Sequence, residues 1–327
     1  MRRMTSPLSR RDLLRGGAIV AGGALLPAWP EWLVSDAWSA QPAAATDQLA
    51  AARAGMAAAP IETTRLTDSL AMLSGPGGNV VVLNGPDGKV VVDTFVQGAW
   101  EKLKQALDAI GPTPLKAAID THWHFDHADN NAAFRAGGAA VIAHENTAKR
   151  MAERHEVKAI NMVIPPSPPE ALPTVTFKDR HQLDVNGDQI TLGYIPPAHT
   201  DTDIYIRFAK GNVLHLGDLF FNRMYPFIDA STGGSIGGMI AAADACLTLT
   251  DPGTKIVPGH GPLADAAALT TYRDVMVTVR DRVQKLKSAG RTAEEAVAAR
   301  PTADLDAVWG KGFLQPDAFV SIVYATL

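Results

Sequence analysis

The 327-residue sequence holds a single cysteine, Cys246, so no disulfide can close within the chain and a disulfide-stapled scaffold is excluded. It has little excess charge, 34 acids against 30 bases, for a formal −4. With 46% hydrophobic residues, that balance excludes wholesale disorder. No dense basic stripe is present, which argues against a nucleic-acid partner. The sequence also lacks an uninterrupted apolar run of the roughly 20 residues that a membrane span needs. The nearest candidate, Gly16 to Trp29, contains Pro27 and is followed by Pro30 and Glu31. No short tandem repeat is visible. What remains is an ordinary globular composition in a chain long enough for a sizeable core.

The first 15 residues carry Arg2, Arg3, Arg10, Arg11 and Arg15 against Asp12. The apolar stretch follows, and then small residues including Ala37, Ser39, Ala40 and Ala43 to Ala45, the order of a secretory signal. The pair in Ser9-Arg10-Arg11-Asp12-Leu13-Leu14 resembles the bacterial twin-arginine export signal. Residues 1–45 are therefore expected to be a signal peptide and linker, and residues 46–327 the functional domain, delivered to the periplasm or otherwise outside the cytoplasm. With no cysteine near the leader a lipid anchor has nothing to attach to, so no stable membrane insertion is expected after the signal is removed. Removing the leader leaves a more acidic chain, which suits neither an anionic membrane nor DNA.

Residues 46–59, rich in Ala, read as mobile or helical. Strands are expected at Asn79–Leu83 and Lys89–Asp93 around the turn Gly85-Pro86-Asp87-Gly88, and at Leu115–Ile119 and Ala139–Ala143. Further strands are expected at Thr174–Phe177, Gln189–Ile195, Asp203–Phe208, Asn212–Leu216 and Lys255–Val257. Helical spacing marks Ala99–Ile110, Asn130–Ala136, Glu145–Arg154, Ile236–Leu247 and most of the chain from Leu263 onward. Residues 163–173, with five prolines, read as an irregular loop and a candidate lid. Strands and helices mix in both halves, so the fold class is α/β in the broad sense (α+β) rather than all-α or all-β.

The strongest local signal is His122-Trp123-His124-Phe125-Asp126-His127, placed just after the strand Leu115–Ile119. His199 follows Gln189–Ile195, Asp218 follows Asn212–Leu216, and His260 follows Lys255–Val257. Four strand ends thus offer imidazole and carboxylate, the donors zinc accepts, to one rim. They are too many for one tetrahedral ion, but two ions that share a bridging carboxylate use them all. The other histidines read as structural: His144 begins a helix, His155 and His181 lie in polar loops, and His215 packs within a strand.

His122, His124, Asp126, His127, His199, Asp218 and His260, in this order over about residues 70–265, resemble the metallo-β-lactamase superfamily. The resemblance implies a four-layer αββα sandwich with a metal site at one sheet edge. It assigns His122, His124 and His199 to a first metal, Asp126, His127 and His260 to a second, and Asp218 as the bridge. Asp93 resembles the family's supporting acid that orients a ligand histidine. Two features depart from the family's lactam-cleaving members. Those with two zinc ions usually lack a bridging acid at the place of Asp218, whereas members that hydrolyse thioesters, lactones, phosphodiesters and other esters have one. The Gly pair often found after the motif is here Asp129-Asn130, read as a helix cap.

The expected reaction is hydrolysis of an ester, thioester, lactone or lactam bond in a small molecule, with two Zn²⁺ ions sharing the attacking hydroxide and Asp126 orienting it. Iron and manganese are alternative ions, and an iron-dependent persulfide-type dioxygenase is the rival reading on the same fold. Trp123, Phe125, Phe221, Arg223 and Tyr225 are the candidate substrate wall. Arg223 would meet an anionic group and Tyr225 would donate to an oxyanion, unless these residues only pack their loop. Oligomeric state is not legible.

Overall fold

A computed structural model of the protein describes residues 45–327, so the expected leader lies outside the described residues. The Ala-rich segment is helix α1 (Ala45–Ala58). β1 (Glu62–Arg65), β2 (Leu70–Gly75), β3 (Gly77–Leu83) and β4 (Lys89–Val92) form an antiparallel meander. β5 (Leu115–Ile119) and β6 (Ala140–His144) then add in parallel. A small hairpin of β7 (His155–Val157) and β8 (Met162–Ile164) intervenes before β9 (Val175–Phe177), which closes a seven-stranded sheet in the order β1-β2-β3-β4-β5-β6-β9. The second sheet runs in chain order through β10 (Arg180–Val185), β11 (Asp188–Tyr194), β12 (Ile204–Phe208), β13 (Val213–His215) and β14 (Lys255–Val257).

Alternation along the strands sets the layers. Val81, Leu83, Val90 and Val92 face the second sheet, where Ile190, Leu192, Ile206 and Val213 complete the central core. Val80, Val82 and Val91, one position out of phase, pack with Leu103 and Leu107 of helix α2 (Trp100–Ile110). Both faces of these strands are covered, so they read as continuous apolar runs. On the outer side of the second sheet, Leu214 and Ile256 pack under α5 (Ile236–Leu247), α6 (Ala266–Ser288) and α8 (Pro316–Ala325), which follow two earlier helices, α3 (Asn131–Ala136) and α4 (Glu145–Met151). Between the last two long helices lies the short α7 (Ala293–Ala298). Helix, sheet, sheet, helix: the architecture is the four-layer αββα sandwich expected from the sequence, and the helices after Leu263 cover its second sheet. None of the described helices is long and apolar enough to cross a membrane.

The expected strands occur, with ends shifted by a residue or two. β1, β2, β10 and the β7–β8 hairpin carried no separate expectation. His155 and His181 lie in strands β7 and β10 rather than in polar loops. His155 is buried because its ring packs on Trp123, 4.5 Å away, and its Nε2 lies 2.8 Å from the carbonyl of Arg150. His144 caps α4 by accepting from the backbone N–H of Asn146, and His215 is a fully buried strand residue, both as expected. Of the expected irregular loop 163–173, the first two residues belong to β8, and the rest is tied to α3 by Arg135, which donates to the carbonyls of Pro169 and Leu172. Asn130 stands at the N-cap position of α3 without a capping bond, because its amide instead donates to the carbonyls of Thr94 and Val96.

Candidate metal centre

The two sheets are pinned together at one rim by Asn79 of β3. Its backbone N–H donates to the carbonyl of Gly259 at 2.6 Å, and its amide donates to those of Pro258 and Gly261. The ends of β5, β11, β13 and β14 converge there, and the parallel pairing of β13 with β14 sets the last two side by side. A side chain on Gly259 would meet Asp218 Oδ1 at 2.0 Å, so the turn after β14 approaches the rim more closely than any other residue allows.

All seven expected ligands come together. Donor atoms of His122, His124, His199 and Asp218 lie within 4.8 Å of one another, and so do those of Asp126, His127 and His260. Nε2 of His122 is 3.1 Å from Nδ1 of His124, which is 2.9 Å from Nε2 of His199. Donors about 2.0–2.1 Å from a tetrahedral zinc stand roughly 3.3 Å apart, so these spacings fit one ion. Asp218 lies between the groups. Its Oδ2 is 3.5 Å from Nε2 of His199 and 3.8 Å from that of His122, while Oδ1 is 3.1 Å from His127 and 3.4 Å from His260. Oδ1 is buried with no hydrogen bond, an orphan that a cation would satisfy. The residues present fit a pair of ions.

Neighbouring groups set which ring nitrogen faces inward. Nδ1 of His199 donates to the carbonyl of Phe227 (2.8 Å), leaving Nε2 free for a metal. Nδ1 of His127 lies 2.7 Å from Asp93 Oδ2, and Nδ1 of His122 lies 3.0 Å from Oγ1 of Thr121. Asp93 thus stands where its expected supporting role requires. His124 is turned the other way, with Nδ1 inward and Nε2 3.3 Å from Asp229 Oδ2.

Electrostatics divide the two groups. Burial holds His122 well below the usual imidazole range and His199 down to about 4, which keeps both neutral and ready to ligate. Burial opposes charge at His260 too, but Asp218 and Asp126 outweigh it and raise the ring to about 9. His127 is raised for the same reason, against burial, by Asp218, Asp126 and Asp93. The second group therefore draws positive charge, which a divalent ion supplies while releasing protons.

The expected substrate wall is only partly assembled. Phe221 stacks on His260 (5.2 Å, 16°) and sits 5.9 Å from His199, so it does line the ligands. Trp123 is buried between His124 and His155, and Phe125 is half-buried under the guanidinium of Arg53. Arg223 is exposed, with a left-handed φ of 65°. Tyr225 is a correction: its hydroxyl donates to Asp306 (2.9 Å) and its ring stacks on Phe319, placing it in the helical layer rather than at an oxyanion. Sequence reasoning missed Asp229 and Asp203. The latter accepts from the backbone N–H groups of His199 and Thr200 and holds the turn that presents His199. The only signal at Asp229 was the turn-forming run Asp229-Ala230-Ser231-Thr232-Gly233.

Residues 73–260 match the model of the metallo-beta-lactamase superfamily, and the chain belongs to that superfamily. Its class is accordingly that of a metal-dependent hydrolase. Among solved structures it is similar to a metallo-beta-lactamase from Pontibacter korlensis, with 18% identity and a TM-score of 0.56 over 66% of this chain and 98% of that one. The DIM-1 metallo-beta-lactamase is similar at 18% identity and TM-score 0.54, over 67% of this chain and 98% of that one. The sec-alkylsulfatase Pisa1 from Pseudomonas sp. is similar at 17% identity and TM-score 0.59, over 84% of this chain and 51% of that one. These likenesses show a shared fold. No match to a curated protein sequence is found.

Proposed function

We propose that the chain is a dinuclear zinc hydrolase that cleaves an ester, thioester, lactone or lactam bond of a small molecule. The observation that carries this reading is Asp218, whose two carboxylate oxygens face opposite ligand groups at 3.1–3.8 Å. His122, His124 and His199 would hold one ion, Asp126, His127 and His260 the other. A bound pair of divalent ions supplies an activated water and polarises the bond to be cut. Asp126 is the most exposed of the seven residues at 8%, so its carboxylate is the one that meets and orients incoming water. Phe221, stacked on His260, keeps that ring edge-on to the site and excludes bulk solvent beside it. The bridging place of Asp218 puts esters, thioesters and lactones ahead of lactams.

Elemental analysis of protein purified without added metal, followed by a hydrolysis panel, tests the proposal. The panel holds an aryl ester, a thioester, a lactone, a lactam and an alkyl sulfate, the last because a sec-alkylsulfatase shares the fold over the larger part of this chain. Two zinc ions and turnover of an acyl substrate are expected. Iron in place of zinc, with oxygen consumed on a persulfide, would overturn it. We also propose export through the Arg10-Arg11 signal, on the sequence grounds given above. A reporter fused after residue 45 should reach the periplasm, and replacing both arginines with lysine should hold it in the cytoplasm.

A further inference from the structure

We infer that Asp229 is a positioning residue for the first ligand group, fixing the ring of His124 and, through its own loop, the place of His199. The inference rests on the proposed metal pair.

Asp229 lies outside every strand-end signal and is 1% exposed. Its Oδ2 faces Nε2 of His124 at 3.3 Å, on the side of the ring opposite the ligand atom Nδ1. The carboxylate cannot drift, because Oγ1 of Thr232 donates to the same oxygen at 2.8 Å and the backbone N–H of Ser231 donates to Oδ1 at 3.0 Å. A carboxylate held this way selects the tautomer with the proton on Nε2 of His124. That leaves the Nδ1 lone pair for the metal.

The same short loop reaches His199 twice. The backbone N–H of Asp229 donates to the carbonyl of His199 at 2.9 Å, and the carbonyl of Phe227, two residues earlier, accepts from the His199 ring at 2.8 Å. Gly234 closes the loop against both, since a side chain there would meet the carbonyl of His199 at 2.3 Å and that of Asp229 at 2.9 Å. His124 comes from the loop after β5 in one sheet, and His199 from the turn after β11 in the other. Residues 227–234 are therefore the piece of chain that sets the distance between two imidazoles carried by different sheets. His127 and His260 are held elsewhere, by Asp93 and by the turn around Asn222. Loss of Asp229 should consequently reach one ion and spare the other.

The test strips the purified protein with a chelator and titrates zinc back against a chromophoric competitor. The wild type should take two ions. Asp229→Asn should keep wild-type affinity for one ion and lose about 10–100-fold for the other. Asp229→Ala should lose at least as much, and the metal-free thermal midpoint of Asp229→Asn should match that of the wild type. Two ions bound with unchanged affinity in Asp229→Asn would overturn the inference. Equal weakening of both ions with a lowered metal-free midpoint would also overturn it, since that marks a merely structural role. Should Asp229→Ala fail to fold, the near-isosteric Asp229→Asn decides alone. A wild type that takes no zinc sinks the proposed metal pair itself, an outcome distinct from either of these.

Discussion

Oδ2 of Asp93 stands 2.7 Å from Nδ1 of His127, and the same carboxylate accepts from the backbone N–H and the hydroxyl of Thr121 at 2.8 and 2.9 Å. One buried acid at the end of β4 thus grips the ligand motif at both ends. Asp93→Ala should weaken the second ion by roughly 10–100-fold. It also strands a buried N–H and a ring N–H, which should cost the metal-free protein about 1–3 kcal/mol. Zinc titration and urea unfolding measure the two effects separately. Wild-type values in both would show that the carboxylate holds nothing.

Asp218 and Asp126 should part company when each is removed. Asp218 faces both groups, so Asp218→Ala should lower the affinity for both ions and abolish measurable turnover. Asp126 is 3.3 Å from His260 and 3.6 Å from His127 but belongs to the second group alone, so Asp126→Ala should lose that ion while retaining the other. Metal content after dialysis against trace zinc distinguishes them. Undiminished turnover in Asp126→Ala would refute the role given to that residue.

A glycine that touches no ligand ion directly should matter almost as much. The Cβ of Gly78→Ala would fall 2.0 Å from the His127 ring, closer than any real contact, and the ring cannot yield without disturbing the contact that Asp93 makes with its Nδ1. Overpacking of this kind costs about 1–3 kcal/mol, and here the cheapest relief is to turn His127 out of line. Gly78→Ala should therefore bind the second ion more weakly while its far-ultraviolet circular dichroism stays native. A variant with native zinc affinity would mean that β3 shifts instead.

The sequence made the ligands legible because each follows an apolar strand and because imidazole and carboxylate together have few other uses at a buried rim. The layers were legible for a related reason: runs such as Val80 to Leu83 are apolar on both faces, and only a doubly covered sheet tolerates that. Tyr225 misled because an aromatic beside a ligand is equally good core material. Its partner, Asp306, lies 81 positions away, a separation over which single-sequence patterns carry no information. Asp229 escaped for a similar reason, since a turn-forming Asp looks the same whether its carboxylate faces solvent or a histidine 105 residues distant. Edge strand β1, exposed at all four positions, had no apolar alternation to reveal it.

Cys246 offers a reporter for the link between metal and stability. It is fully buried in α5, and burial pushes its thiol up to about 12, so at pH 8 it is protonated as well as inaccessible. A thiol reagent can then reach it only when the helical layer opens. Each ion that binds the folded chain and not the unfolded one stabilises it by about 2.7 kcal/mol at a hundred times its dissociation constant, so two ions give about 5.4 kcal/mol. Where opening is global and reclosing outpaces labelling, zinc at that level on both sites should slow modification of Cys246 roughly 10⁴-fold relative to chelated protein. Mass-spectrometric labelling with and without chelator measures the ratio. Equal labelling rates would mean that α5 opens locally, without disturbing the metal rim, and zinc titration of the thermal midpoint would then show the stabilisation that the cysteine does not report.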